Sequence, residues 1–297
     1  MTHNPQEELK NLKPEHEFFI GIDSDGCVFD TMEIKQKECF CPNMIKFFEL
    51  QTISKFARET WEFVNLYSKT RGCNRFNAVD KFFELLPKRK DVARRNPALK
   101  DIAPLREWIK KETKLGNPAL EKYAKEVNNP LIDLSLKWSK KVNADIEELV
   151  YGIAPFPFFK ESLEKMVTKA DTMVVSQTPL EALTREWEEN NIKEFVRIIA
   201  GQEYGTKTEH IALGAVGKYP SNKILMIGDA PGDKKAAKSN GVLFFPVNPG
   251  KEDESWERFY NEALNRFFAG TYEGDYEASL INEFDALLPE NPSWELI

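Results

Sequence analysis

Apolar residues follow two different rhythms along this chain. From residue 31 to about 150 they recur every three or four positions, the spacing of helices that bury one face. Phe47, Phe48, Ile53, Phe56, Trp61, Val64, Leu66 and Tyr67 predict helix over 43–69, ended by Arg71-Gly72. Phe76, Val79, Phe82, Phe83 and Leu86 predict another over 74–86, stopped by Pro87. Further helices are expected near 103–114, 117–127, 131–141 and 143–151, punctuated by Pro104, Pro118 and Pro130.

After Pro155 the rhythm changes to short apolar runs alternating with helical patterns. Strands are expected at 172–175, 196–199, 223–227 and 242–245, with helices near 158–169, 179–190, 207–217 and 231–239. Such alternation implies an α/β fold, a Rossmann-like doubly wound parallel sheet. The apolar run Phe18-Phe19-Ile20-Gly21-Ile22 has no strand near it in sequence, so it is expected to join this sheet. The chain then divides into a discontinuous α/β core, 1–30 and 152–297, and an inserted all-helical domain, 31–151.

Composition narrows the functions. The chain has 297 residues, is 41% hydrophobic and 30% charged, and carries a net charge of −7. No stretch approaches the roughly 18 apolar residues of a membrane span, and the polar start predicts a cytoplasmic protein. The acidic balance argues against nucleic acid, whose phosphates call for a basic surface. Charge is uneven: residues 81–114 hold 11 Lys or Arg against 5 acids, and residues 252–297 hold 12 acids against 2 Arg. Only 3 His are present, so chemistry built on several histidines is disfavoured. Cys39-Phe40-Cys41 lacks the spacing of a zinc pair, so Cys27, Cys39, Cys41 and Cys73 read as reduced thiols.

In an open parallel sheet, ligands sit beyond the carboxyl ends of the strands. After the first strand stands Asp23-Ser24-Asp25-Gly26; after the next, Ser176-Gln177-Thr178-Pro179; after the fourth, Gly228-Asp229-Ala230-Pro231-Gly232-Asp233. Alternation along an extended chain points Asp23 and Asp25 the same way. Two close carboxylates stay ionised with a cation between them, and Asp229 adds a third oxygen donor, a set that suits Mg²⁺ and hence phosphate chemistry. Thr178 is expected to cap the helix after Ser176, with Glu181 completing a capping box, and such a helix start binds phosphate. Lys207 opens the helix before the fourth strand, at the end of the sheet where a phosphoryl group needs positive charge.

These strand ends resemble the haloacid dehalogenase superfamily, in its phosphohydrolase branch. Phe19-Ile20-Gly21-Ile22-Asp23-Ser24-Asp25-Gly26-Cys27-Val28 is similar to its first motif, Val174-Val175-Ser176 to the second, Lys207 to the third and Ile227-Gly228-Asp229-Ala230-Pro231-Gly232-Asp233 to the fourth. The resemblance implies a Mg²⁺-dependent phosphatase of a small phosphorylated metabolite. Asp23 would be the nucleophile that forms an aspartyl-phosphate and Asp25 the general acid and base. Asp23, the carbonyl of Asp25, Asp229 and Asp233 would hold the metal; Ser176, Lys207 and Gly26 would contact the phosphoryl group. The inserted helices would form a cap, from which Arg71, Asn74 and Arg75 are candidate substrate contacts. A phosphomutase would use the same core, as would a phosphonate hydrolase drawing an amine from Lys35, Lys37, Lys46 or Lys55. A non-catalytic phosphometabolite-binding protein is the remaining alternative. The acidic tail after 247 has no counterpart in the minimal core.

Overall fold

The structure is a computed structural model and describes residues 4–297. Five strands form one parallel sheet: β1 (Phe18–Ile22), β2 (Ala170–Val175), β3 (Ile198–Ala200), β4 (Ile224–Gly228) and β5 (Leu243–Pro246), in the order β3-β2-β1-β4-β5. Every strand residue is buried. That is why β1 is an unbroken apolar run: a strand covered on both faces has no polar side to show. Ile22 of β1 pairs with Val174 of β2 and Ile227 of β4. The register therefore brings the carboxyl ends of β1, β2 and β4 level, which fixes where their following loops begin.

Helices α1 (Pro5–Asn11), α2 (Phe159–Met166), α3 (Leu180–Glu189), α4 (Lys207–Gly214) and α5 (Pro231–Ser239) accompany the sheet. Residues 252–268, helical with a π turn at Phe259–Ala263, and a helix at Asp275–Leu287 follow β5. Trp256, Phe259, Leu264 and Phe267 join the buried cluster that holds the strand side chains.

The chain resolves into two compact units, residues 4–32 with 152–287 and residues 33–151 with 288–297. The second unit has its own core, in which Trp61 and Trp138 meet Phe40, and Trp108 meets Phe76, at ring distances of 5.0–6.2 Å. Its helical boundaries depart from the sequence pattern in two places. The expected helix over 43–69 is interrupted: Glu49 takes a left-handed conformation (φ 60°), and the helix restarts at Ser54 after a 3-10 turn. The segments expected at 131–141 and 143–151 are one helix, Pro130–Leu149, because buried Val142 continues its apolar face.

The last ten residues also need correction. They were grouped with the sheet, yet Leu288–Ile297 belongs to the helical unit. Ile297 N–H donates to Lys88 O (2.8 Å), Lys90 N–H to Glu295 O (3.0 Å) and Lys69 N–H to Pro289 O (3.2 Å). Trp294 packs on Phe63 and on the guanidinium of Arg89, 4.6 Å away, whose other face lies 4.7 Å from Phe56. Glu295 pairs with Lys90. Six of the eleven cations of the basic stretch 81–114 are matched by carboxylates of this unit, namely Lys81 and Lys88 by Glu84, Arg89 by Glu59, Lys90 by Glu295, Lys100 by Glu49 and Arg106 by Asp80. The basic stretch is thus largely an internal counter-charge.

Candidate active site

The carboxyl ends of β1 and β4 carry the acidic groups. Asp23 continues β1 by donating its N–H to Ile227 O (2.9 Å) and is 4% exposed. Asp229 and Asp233 are fully buried. One carboxylate oxygen from each of Asp23, Asp229 and Asp233 lies within 4.8 Å of the others. The fourth-motif spacing has a visible cause. Asp233, in the first turn of α5, reaches back so that its Oδ2 accepts from Ala230 N–H (3.0 Å). Its side chain then lies over Gly228, where a Cβ would come within 2.4 Å of Asp233 Cβ. Only glycine leaves that space.

Lys207, the first residue of α4, bridges the cluster. Its Nζ donates to Asp23 Oδ2 and to Asp233 Oδ1, both at 2.6 Å. The Thr206–Glu209 capping box fixes the start of α4 and hence the direction of this side chain. Burial alone would lower the Lys207 pKa; Asp23 and Asp233 more than offset it and hold the ammonium firmly charged. Burial raises Asp23 well above the usual carboxylate range despite Lys207, and Asp233 and Asp229 add to the rise. Two of the three buried carboxylates pair with this ammonium, and the third lies within 4.8 Å of them. An all-oxygen, buried anionic set of this kind fits a hard divalent cation such as Mg²⁺.

Asp25 is oriented by two hydroxyls. Thr31 donates to Oδ1 (2.5 Å) and Thr178 to Oδ2 (2.9 Å). Thr178 is therefore not the helix cap that its position suggests. Helix α3 begins at Leu180 with no side-chain cap at Pro179, and the first free amide, Leu180 N–H, donates to Glu203 Oε2 (3.0 Å). Ser176 is buried at the end of β2, its Oγ accepting from Thr178 N–H (3.2 Å). Gln177 spans to the loop that leads into α4, donating to Gly205 O (2.8 Å).

Gly26, expected to contact the phosphoryl group, forms the turn after Asp25. Its N–H donates to Phe29 O (2.9 Å), and its φ of 76° is what lets the chain turn there. Cys27 is buried, and burial followed by the nearby Asp229 and Asp23 charges pushes its thiol up, so it stays protonated.

In the helical unit, the three candidate substrate contacts each bond to residues of that unit. Asn74 caps the helix Arg75–Leu85 through Phe76 N–H (3.0 Å) and donates to Leu115 O (3.1 Å). Arg75 donates to Ser139 Oγ (2.9 Å) and Asn143 Oδ1 (2.7 Å) and stacks over Phe40. Arg71 is 3% exposed and donates to Leu66 O (3.0 Å). Lys37 pairs with Glu33 (2.5 Å); burial would lower its pKa, but Glu33 and Tyr67 outweigh burial and keep it protonated, the wrong state for a nucleophilic amine. Thr31 and Ser24 carry no signal in the sequence pattern beyond lying near the acidic groups, and Thr178 reads there only as a helix cap.

No protein-family model matches the chain, and no curated protein does. Among solved structures it is similar in fold to a haloacid dehalogenase-like family hydrolase from Streptococcus pneumoniae, at 14% identity over 90% of this chain and 98% of that one, with a TM-score of 0.45. It is also similar to a HAD-superfamily hydrolase of subfamily IA from Geobacter sulfurreducens, at 16% identity over 79% and 89%, TM-score 0.41. A third is CbbY from Rhodobacter sphaeroides, in complex with phosphate, at 15% identity over 79% and 87%, TM-score 0.44.

Proposed function

We propose that this chain is a Mg²⁺-dependent phosphohydrolase that cleaves a small phosphorylated metabolite through an aspartyl-phosphate on Asp23. The observation that carries the reading is the meeting of Asp23, Asp229, Asp233 and Lys207 at the level ends of β1 and β4. A cluster of buried like charges costs stability, and a bound cation and phosphoryl group give it a use.

Asp23 attacks phosphorus, the ester P–O bond breaks, and Asp25 gives its proton to the departing oxygen. Water then attacks the phosphorus of the acyl phosphate and passes its proton to Asp25. The P–O bond to Asp23 breaks, releasing inorganic phosphate and restoring the carboxylate. Splitting the displacement in two replaces one hard step by two easier ones. Asp23, Asp229, Asp233 and the carbonyl of Asp25 would hold Mg²⁺, which would supply positive charge for the oxygens of the transferring group. Ser176 and Lys207 bind that group, and the two threonine hydroxyls on Asp25 hold the acid–base carboxyl at its post. The helical unit is read as a cap. Among the described residues no helix is long and apolar enough to cross a membrane; the four free thiols are those expected of a cytoplasmic protein.

The test is phosphate release from a panel of sugar phosphates, nucleotides and phospho-acids with Mg²⁺, run beside Asp23→Asn. Release by the wild type that vanishes in the variant is expected. Equal release by the variant contradicts the nucleophile.

A further inference from the structure

Ser24, the residue between the two motif carboxylates, is tied down at every polar atom it has. We propose that Ser24 is a positioning residue, anchored by Trp187 and Glu186 of α3, that sets the orientation of the Asp23 carboxylate; the inference rests on the phosphoryl-transfer reading above. Ser24 is fully buried. Its N–H donates to Asp23 Oδ1 (2.8 Å). Its carbonyl accepts from the amides of Cys27, Val28 and Phe29 at 3.2, 2.9 and 3.3 Å. Its Oγ accepts from Trp187 Nε1 (3.0 Å) and donates to Glu186 Oε2 (3.1 Å).

Alternation along an extended chain separates the roles. Asp23 bonds to Lys207, whereas the next side chain, Ser24, turns toward α3. An apolar side chain there would fill space without fixing rotation of the loop. The serine hydroxyl instead makes directional bonds to a helix that is itself rigid. Trp187 is fully buried and meets Phe29 and Phe159 edge-on, at 6.3 and 5.9 Å. A buried indole N–H needs an acceptor, so the loop and α3 constrain each other. Because the Ser24 amide holds Asp23 Oδ1, rotation of Ser24 turns the nucleophile. Misplacing a reacting group by about 1 Å can cost roughly a hundredfold in rate, so a bond of this kind acts on kcat.

Three changes test it. Trp187→Phe keeps the ring packing and removes the indole donor; Ser24→Ala removes the hydroxyl; Glu186→Gln keeps an acceptor that Glu186→Ala lacks. Steady-state kinetics on one ester cleaved by the wild type are read beside melting temperature. Fluorine NMR of the adduct with beryllofluoride, an acyl-phosphate mimic, gives a readout independent of turnover. The expectation is a fall in kcat of about tenfold for Trp187→Phe and Ser24→Ala, with KM within about twofold and a weakened adduct. Glu186→Gln should lose less than Glu186→Ala. Should Ser24→Ala fail to fold, Trp187→Phe decides. Unchanged kcat and adduct in folded Trp187→Phe overturn the inference while the wild-type activity stands, as does a loss of rate that follows melting temperature alone. A wild type with neither turnover nor adduct removes the phosphoryl-transfer reading and this inference with it.

Discussion

At Gly228 a single hydrogen is all the side chain that Asp233 permits, since a Cβ there would lie 2.4 Å from Asp233 Cβ. Gly228→Ala should therefore displace Asp233 and its bond to Lys207. Overpacking of this kind costs about 1–3 kcal/mol, read by denaturant unfolding, and the Mg²⁺-dependent rate should fall with it. Two other buried residues set the response to acid. Burial pushes the His210 pKa down to about 4, so the folded chain keeps it neutral. The unfolded chain binds that proton first, and stability is lost as pH falls from about 6.5 toward 4, by about 3 kcal/mol. Burial would raise Asp171, but bonds from Tyr219, Glu15 and His16 outweigh it and bring its pKa down to about 2. Its contribution is present above the ordinary carboxylate pKa and is lost as pH falls through about 2. Urea midpoints across pH should show the first loss vanish in His210→Phe and the second in Asp171→Asn.

Among the elements, what could be read from sequence was what local chain chemistry decides. The apolar run at 18–22 followed by Asp23-Ser24-Asp25-Gly26 is a strand and a turn whatever surrounds it, and the structure keeps both. Elements whose ends depend on distant partners were misread. Thr178 looked like a helix cap because its spacing to Glu181 is right; the structure turns it to Asp25, 153 residues earlier in the chain. The third strand was expected at 196–199 and lies at 198–200, although Arg197 N–H still donates to Thr172 O of β2 (2.8 Å). Arg71, Asn74 and Arg75 looked like a ligand loop for their polar character; Arg75 bonds to Ser139 and Asn143 of the helix Pro130–Leu149, Asn74 to Leu115 O, and Arg71 to Leu66 O just upstream. The last ten residues of the acidic tail had no visible purpose because their partners, Lys69, Arg89 and Lys90, are some 200 residues earlier in the chain. That segment is an element of the helical unit. Trp294→Ala should lower its stability by about 2 kcal/mol, through lost apolar contact and the lost stack on Arg89. Thermal unfolding of the full chain checks it, and an unchanged melting temperature would count against the packing of residues 288–297 into the helical unit.

For the molecule as a whole, the net charge of −7 includes three buried carboxylates gathered within 4.8 Å, two of them on Lys207. Relief of that repulsion by a cation predicts that Mg²⁺ raises the melting temperature of the wild type. Asp229→Asn should melt higher than the wild type without Mg²⁺ and gain nothing from it; a full Mg²⁺ response in that variant would contradict the metal set. The central claim is that Asp23 carries the phosphoryl group, and it can be seen directly. In Asp25→Asn the second step lacks its base, so the covalent intermediate should accumulate after acid quench with a phosphate ester that the wild type cleaves. Peptide mass spectrometry should then find one hydroxylamine-labile phosphate on Asp23. Phosphate on any other residue, or an Asp25→Asn enzyme that turns over with no labelled peptide, would contradict the account.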